Sequence, residues 1–193
     1  MKLRIAISCV LFSLVVSAAA VASNPQAKPD EKPTFASVLD HQFANTEKTV
    51  VPAADAMPED KYGFAPTQGD FKGVRNFGAE VKHMAVANFA IGAAILGEKP
   101  PVDLGGGGPN GPANLQSKAD LMKFLNDSFV YAHKAISSIT ADNILEPIKS
   151  PFGSNMTTRL ALATSLISHP YDHYGQMVEY LRMNSIVPPA SRK

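Results

Sequence analysis

The chain has 193 residues, with 18 basic against 17 acidic side chains and a single cysteine. Its basic residues are scattered, so neither a nucleic-acid backbone nor an anionic membrane surface is indicated as a partner. The one cysteine, Cys9, falls in an N-terminal apolar run expected to be removed; a thiol-free mature chain excludes cysteine nucleophiles, CxxC redox chemistry and thiolate metal sites.

Residues 1–22 read as a secretory signal peptide. Lys2 and Arg4 form a basic start, Ile5–Val16 an apolar run of twelve, and Ala20-Val21-Ala22 a small-residue cleavage pattern. Twelve residues are too few to span a bilayer. Export to a periplasm or to the medium is therefore expected, with an uncleaved anchor as second choice. Cys9 sits too early in the run for a lipoprotein anchor. Cleavage would leave 16 basic and 17 acidic residues in a chain of a size that suits one domain.

Residues 23–33, with three prolines and no large apolar side chain, read as a flexible tether. From Thr34, Phe35, Val38, Leu39 and Phe43 recur at helical spacing. Pro52 predicts a kink or break near Val51, with Ala53–Met57 continuing beyond it. His41 lies about 60° off that apolar face, as a surface histidine would. After a connector containing Tyr62 and Phe64, Asn76 is a good N-cap for a second helix running to Leu96 and stopping at Gly97. His83 shares a face with Ala79, Ala87 and Ala90. A lone histidine on an apolar face is more often a hydrogen-bonded core residue, but three alanines leave free volume that a packed core position does not need.

Residues 98–116 form a Pro/Gly-rich loop containing Gly105-Gly106-Gly107-Gly108. No Lys-Ser/Thr follows and no strand precedes, so it reads as a connection over one end of the fold rather than a phosphate cradle. Ser117 to Asp120 opens a third helix in the manner of a capping box, with Leu121, Leu125, Phe129, Ala132 and Ile136 inward. His133, about 80° from Leu125, reads as a boundary residue, with a role behind a metal ligand as the alternative. Residues 140–155 are irregular. A fourth helix is predicted over 156–183, carrying His169 and His173, with Pro170 bending it between them and freeing the carbonyl of Leu166. No alternating run predicts a strand. Four long helices with long links define an all-α four-helix bundle over 34–187, with 188–193 as a tail.

Two histidines four apart stack on one helical face, and a helix-borne pair normally takes a further ligand from another element. The second and fourth helices supply it, bringing His83 to His169 and His173. Three neutral imidazoles leave a coordination position open, the pattern of a catalytic site. Glu80, one turn before His83, is a candidate base or fourth ligand; Asp172 and Gln176 are candidates for orienting a ligand from behind, and a solvated or structural role is at least as plain for all three. A zinc-protease motif is excluded because Pro170 occupies the glutamate position, and a carboxylate-bridged di-iron site because the fourth helix has no Glu-x-x-His.

With these residues the chain resembles the DinB/YfiT-like superfamily of metal-binding four-helix bundles. The resemblance is carried by Ala56-Met57-Pro58-Glu59-Asp60-Lys61-Tyr62-Gly63-Phe64-Ala65-Pro66, by Arg75-Asn76-Phe77-Gly78 leading to His83, and by His169-x3-His173-Tyr174-Gly175-Gln176 with Tyr180-Leu181-Arg182 after it. It implies an up-up-down-down bundle, His83, His169 and His173 as ligands of a divalent ion such as zinc or nickel, and a tendency to homodimers. Pro170 departs from the pattern. Characterised members include thiol-dependent S-transferases and an isomerase that use cytosolic thiols, which an exported chain would not meet readily. The expectation is an exported metal-dependent hydrolase or transferase acting on an unidentified small molecule. A non-catalytic metal- or ligand-binding bundle is the alternative, and a bundle whose histidines are only core residues is the third.

Overall fold

Thr34 opens the first helix reciprocally: its hydroxyl accepts from the Ser37 amide at 3.1 Å, and the Ser37 hydroxyl accepts from the Thr34 amide at 2.9 Å. The structure, a computed structural model, describes residues 32–192 apart from 107 and 109; the expected signal segment and nearly all of the expected tether lie outside the described residues. Helix α1 runs over Phe35–Ala56 and continues through Pro52. Pro52 and Lys48 are both exposed, so the carbonyl that the proline leaves unbonded can be met by water, and no break follows.

Helix α2 (Phe77–Leu96) begins at the Asn76 cap and ends where Gly97 turns left-handed at φ 71°. It is buried on nearly all sides, as a central core helix must be. Helix α3 (Lys118–Ser137) is capped by Ser117. Helix α4 (Arg159–Met183) starts at a Thr158 cap and runs unbroken past Pro170. The predicted start at residue 156 is corrected by a small hairpin, β1 (Pro147–Lys149) and β2 (Met156–Thr158), antiparallel with Ile148 opposite Thr157. Three residues per strand are too few to show an alternating pattern, which is why the sequence predicts no strand there. The tail is tied in as well: Pro188 is buried and the turn Pro189–Ser191 packs on α1.

Helix α3 packs closely on α2 at two glycines of α2. A Cβ on Gly92 would stand 3.0 Å from the Tyr131 ring, and one on Gly78 would stand 3.2 Å from Leu121. Those contacts also set direction, since early meets early and late meets late: α2 and α3 are parallel. Helix α4 opposes α2, because Arg159 reaches the Ile95 carbonyl at one end and Tyr180 reaches the Arg75 carbonyl at the other. Lys118 at the start of α3 pairs with Asp55 at the end of α1, so α1 opposes α3. In chain order the helices therefore run up-down-down-up, correcting the up-up-down-down order that the resemblance implied; the hairpin-like return through Tyr62, which bonds both Ala54 and Gly78, turns the chain round after α1. Phe43, Phe77, Phe89, Phe129, Leu166 and Met177 fill the common core.

Candidate metal centre and cavity

The antiparallel packing of α2 on α4 brings His83 level with His169 and His173. Nε2 of His169 lies 3.2 Å from Nε2 of His83 and 3.1 Å from Nε2 of His173. All three ligand atoms lie within 4.8 Å of one another. His173 is 5 % exposed, while His83 and His169 are half-buried. Pro170 does not drive the pair on α4 apart; their rings stand 4.5 Å apart, centroid to centroid.

Behind His173, the Glu80 carboxylate lies 2.5 Å from Nδ1 and is 1 % exposed. The carboxylate holds the ring proton on Nδ1, which leaves the Nε2 lone pair facing the other two imidazoles. Glu80 is thus placed not toward the space between the three rings but against the outer nitrogen of His173. Gln176 lies beside the same nitrogen, at 3.4 Å. Asp172 is exposed and acts on His169 only through its charge. Burial, then the neighbouring His173 and His83, hold the His169 pKa down at about 4, so this imidazole is neutral at ordinary pH. Nδ1 of His169 is buried without a hydrogen-bond partner. Burial and then Glu80 push the Tyr180 phenol upward.

The donor set fits a divalent transition metal. Two nitrogens each about 2.0–2.1 Å from one ion, at a tetrahedral angle, stand about 3.3 Å apart, close to the two spacings seen. A chain of hydrogen bonds accounts for the cluster less well. With the His173 proton on Nδ1, the Nε2 of His169 has one proton at most to share between two neighbours, and lone pairs must face one another.

Beside the cluster lies a cavity of about 1010 Å³, with His83 and His169 in its wall and Ala87, Ala90 and Ala94 along α2. The free volume expected next to Ala87 and Ala90 is present; Ala79 instead borders a separate concavity of about 370 Å³ beside Lys82. Leu104 and Gly108 of the glycine-rich loop close one side. That loop is strapped down, with Lys82 Nζ donating to the Pro112 carbonyl at 2.9 Å, and Gly105 lies so near Gly111 that a Cβ would stand 2.5 Å from its carbonyl. The hairpin residues Lys149 and Phe152, and Arg159, were not foreseen as part of the cavity.

His41 is exposed, as expected. His133 is a different matter. Its Nδ1 lies 2.5 Å from Asp40 and its Nε2 3.2 Å from Glu47, and its ring rests on Phe43, 4.9 Å between centroids. It takes no part in the metal cluster. Asp40 and Glu47 are seven apart on α1 and so share a face, a spacing that pairs them with each other but not with His133.

Three imidazoles converging from two helices of a four-helix bundle, with a carboxylate behind one of them, define the class: a bundle with a three-histidine cluster that could hold a metal ion. The model of the DinB superfamily matches residues 25–177, and the chain belongs to that superfamily. It is similar in fold to the crystal structure of a DinB-like protein from Bacillus cereus ATCC 10987 at 2.01 Å resolution, with 15 % identity, a TM-score of 0.61, and coverage of 78 % of this chain and 93 % of that one. No curated protein matches the chain.

Proposed function

We propose that this chain is an exported DinB-like protein that holds one divalent transition ion, zinc or nickel, on His83, His169 and His173 and acts as a metal-dependent hydrolase or transferase on a small molecule. The observation that carries the reading is the approach of three Nε2 atoms with two spacings of 3.1 and 3.2 Å. The ion would supply Lewis acidity to a polar substrate group. Glu80 keeps the His173 ring oriented and its Nδ1 protonated, and the cavity that reaches His83 and His169 gives a substrate access to the site. A purely structural metal site would have no use for that opening.

Metal analysis of protein purified without a histidine tag tests the site: about one equivalent of transition metal is expected. Less than about a tenth of an equivalent, with melting unchanged by His83→Ala, would sink it. A panel of ester, amide and thiol-transfer substrates, run on the native chain and on His173→Ala, tests catalysis. Turnover indifferent to that substitution overturns the enzyme reading and leaves non-catalytic binding.

A further inference from the structure

The cavity is a trough with unlike ends. One end holds His83 and His169; the other is bounded by Arg159 and by Lys149 and Phe152 of the hairpin. On α4, Arg159 and His169 are ten residues apart, about 15 Å along a helix. On α2, Arg159 Nε reaches the carbonyl of Ile95, twelve residues after His83, about 18 Å along the axis. Two helices thus give the trough nearly the same length. Between its ends the walls are Val86, Ala87, Ala90, Ala94, Leu104 and Ile148, none of them polar.

Charge is confined to the far end, and most of it is already matched. Arg159 pairs with Glu146 at 3.0 Å, and Glu98 takes the Tyr131 hydroxyl at 2.8 Å and Lys134 at 3.7 Å. Lys149 is exposed and lines the trough, and it has no carboxylate partner among the described residues. The mouth therefore carries one uncompensated positive charge. Phe152, 58 % exposed at the tip of the hairpin, adds an apolar face beside it.

We propose that the trough binds an elongated, mainly apolar small molecule about 15 Å long, the span of an acyl chain of about ten to twelve carbons, with an acidic group held at Lys149 and the opposite end at the histidines. This rests on the proposed function only for what happens at the histidine end; binding itself needs no metal.

Alkane-1-sulfonates of six to fourteen carbons are suitable probes, because sulfonate is a poor metal ligand and will not be drawn to the imidazoles. Calorimetry below their micelle concentrations, on metal-loaded and metal-free protein alike, should give one site per chain. Affinity should rise about fourfold per added methylene and level off near twelve carbons. An alkyltrimethylammonium ion of the same length should bind at least about tenfold more weakly, and Lys149→Glu, a surface change that leaves the fold alone, should reverse that preference. Ala90→Leu should weaken binding at least about tenfold with metal content unchanged. No dependence on chain length, or no response of the anion preference to Lys149→Glu, overturns the assignment. Loss of sulfonate binding on metal removal alone does so too, since it would put the anion at the histidines. Absence of metal from purified protein sinks only the proposed function and leaves this test intact.

Discussion

Two histidine centres join pairs of helices in this bundle, and their difference separates a candidate metal site from a clamp. His133 gives both ring nitrogens to carboxylates of α1, Asp40 and Glu47, and sits partly in solvent. Both ring nitrogens are thus already engaged by carboxylates, and the contact pins α3 to α1. At the other centre a carboxylate meets the outer nitrogen of His173, and the inner nitrogens of the three rings turn toward one another next to a large cavity. What distinguishes the two is where the carboxylates stand: around the imidazole in one case, behind it in the other.

The sharpest way to break the comparison is to remove a ligand. His83→Ala or His173→Ala should reduce bound metal from about one equivalent to under about a tenth, read by elemental analysis, while His133→Ala should leave it unchanged. Equal metal in all three would erase the distinction. Glu80→Gln comes next. It keeps the shape of the side chain but weakens its hold on the His173 proton, and metal affinity should drop about 10- to 100-fold with the helical circular dichroism preserved.

The pH response of the metal-free protein sharpens the picture further. The His169 pKa falls from 6.5 to about 4 on folding, so the native state favours the neutral ring. Its contribution to stability is whole above 6.5 and is lost as pH falls from there through about 4. Urea midpoints should decline across that window, and His169→Gln should flatten the decline. A midpoint that stays level in the unsubstituted protein would contradict the buried neutral imidazole. At the clamp, His133→Ala should lower stability by about 1 kcal/mol, measured by urea unfolding. The smallest effect is expected at Pro170. Since α4 already runs through it, Pro170→Ala should change metal affinity less than about twofold.

Much of this arrangement is written locally. Asn76 and Gly97 bound α2, Thr34 and Ser117 start their helices, and the four-residue spacing of His169 and His173 stacks them, all through interactions within a turn or two of chain. Glu80 could be picked out by its place one turn before His83, yet its partner proved to be His173, 93 positions away. The Asp40–His133 contact spans the same separation. No local period specifies such pairs. The hairpin was missed for a different reason: Pro147–Lys149 and Met156–Thr158 are shaped by pairing with each other and by packing near the start of α4, and not by any pattern of their own.

Helix number, the caps at Thr34, Asn76, Gly97 and Ser117, and the identity of the three histidines follow from residue spacing, because propensity, capping and amphipathic periodicity act over a few residues. The up-down-down-up order, the side of His173 on which Glu80 stands, the clamp at His133 and the trough that reaches Lys149 came only with tertiary structure. They depend on which helix faces cross the core at the same height, and close packing of distant segments decides that.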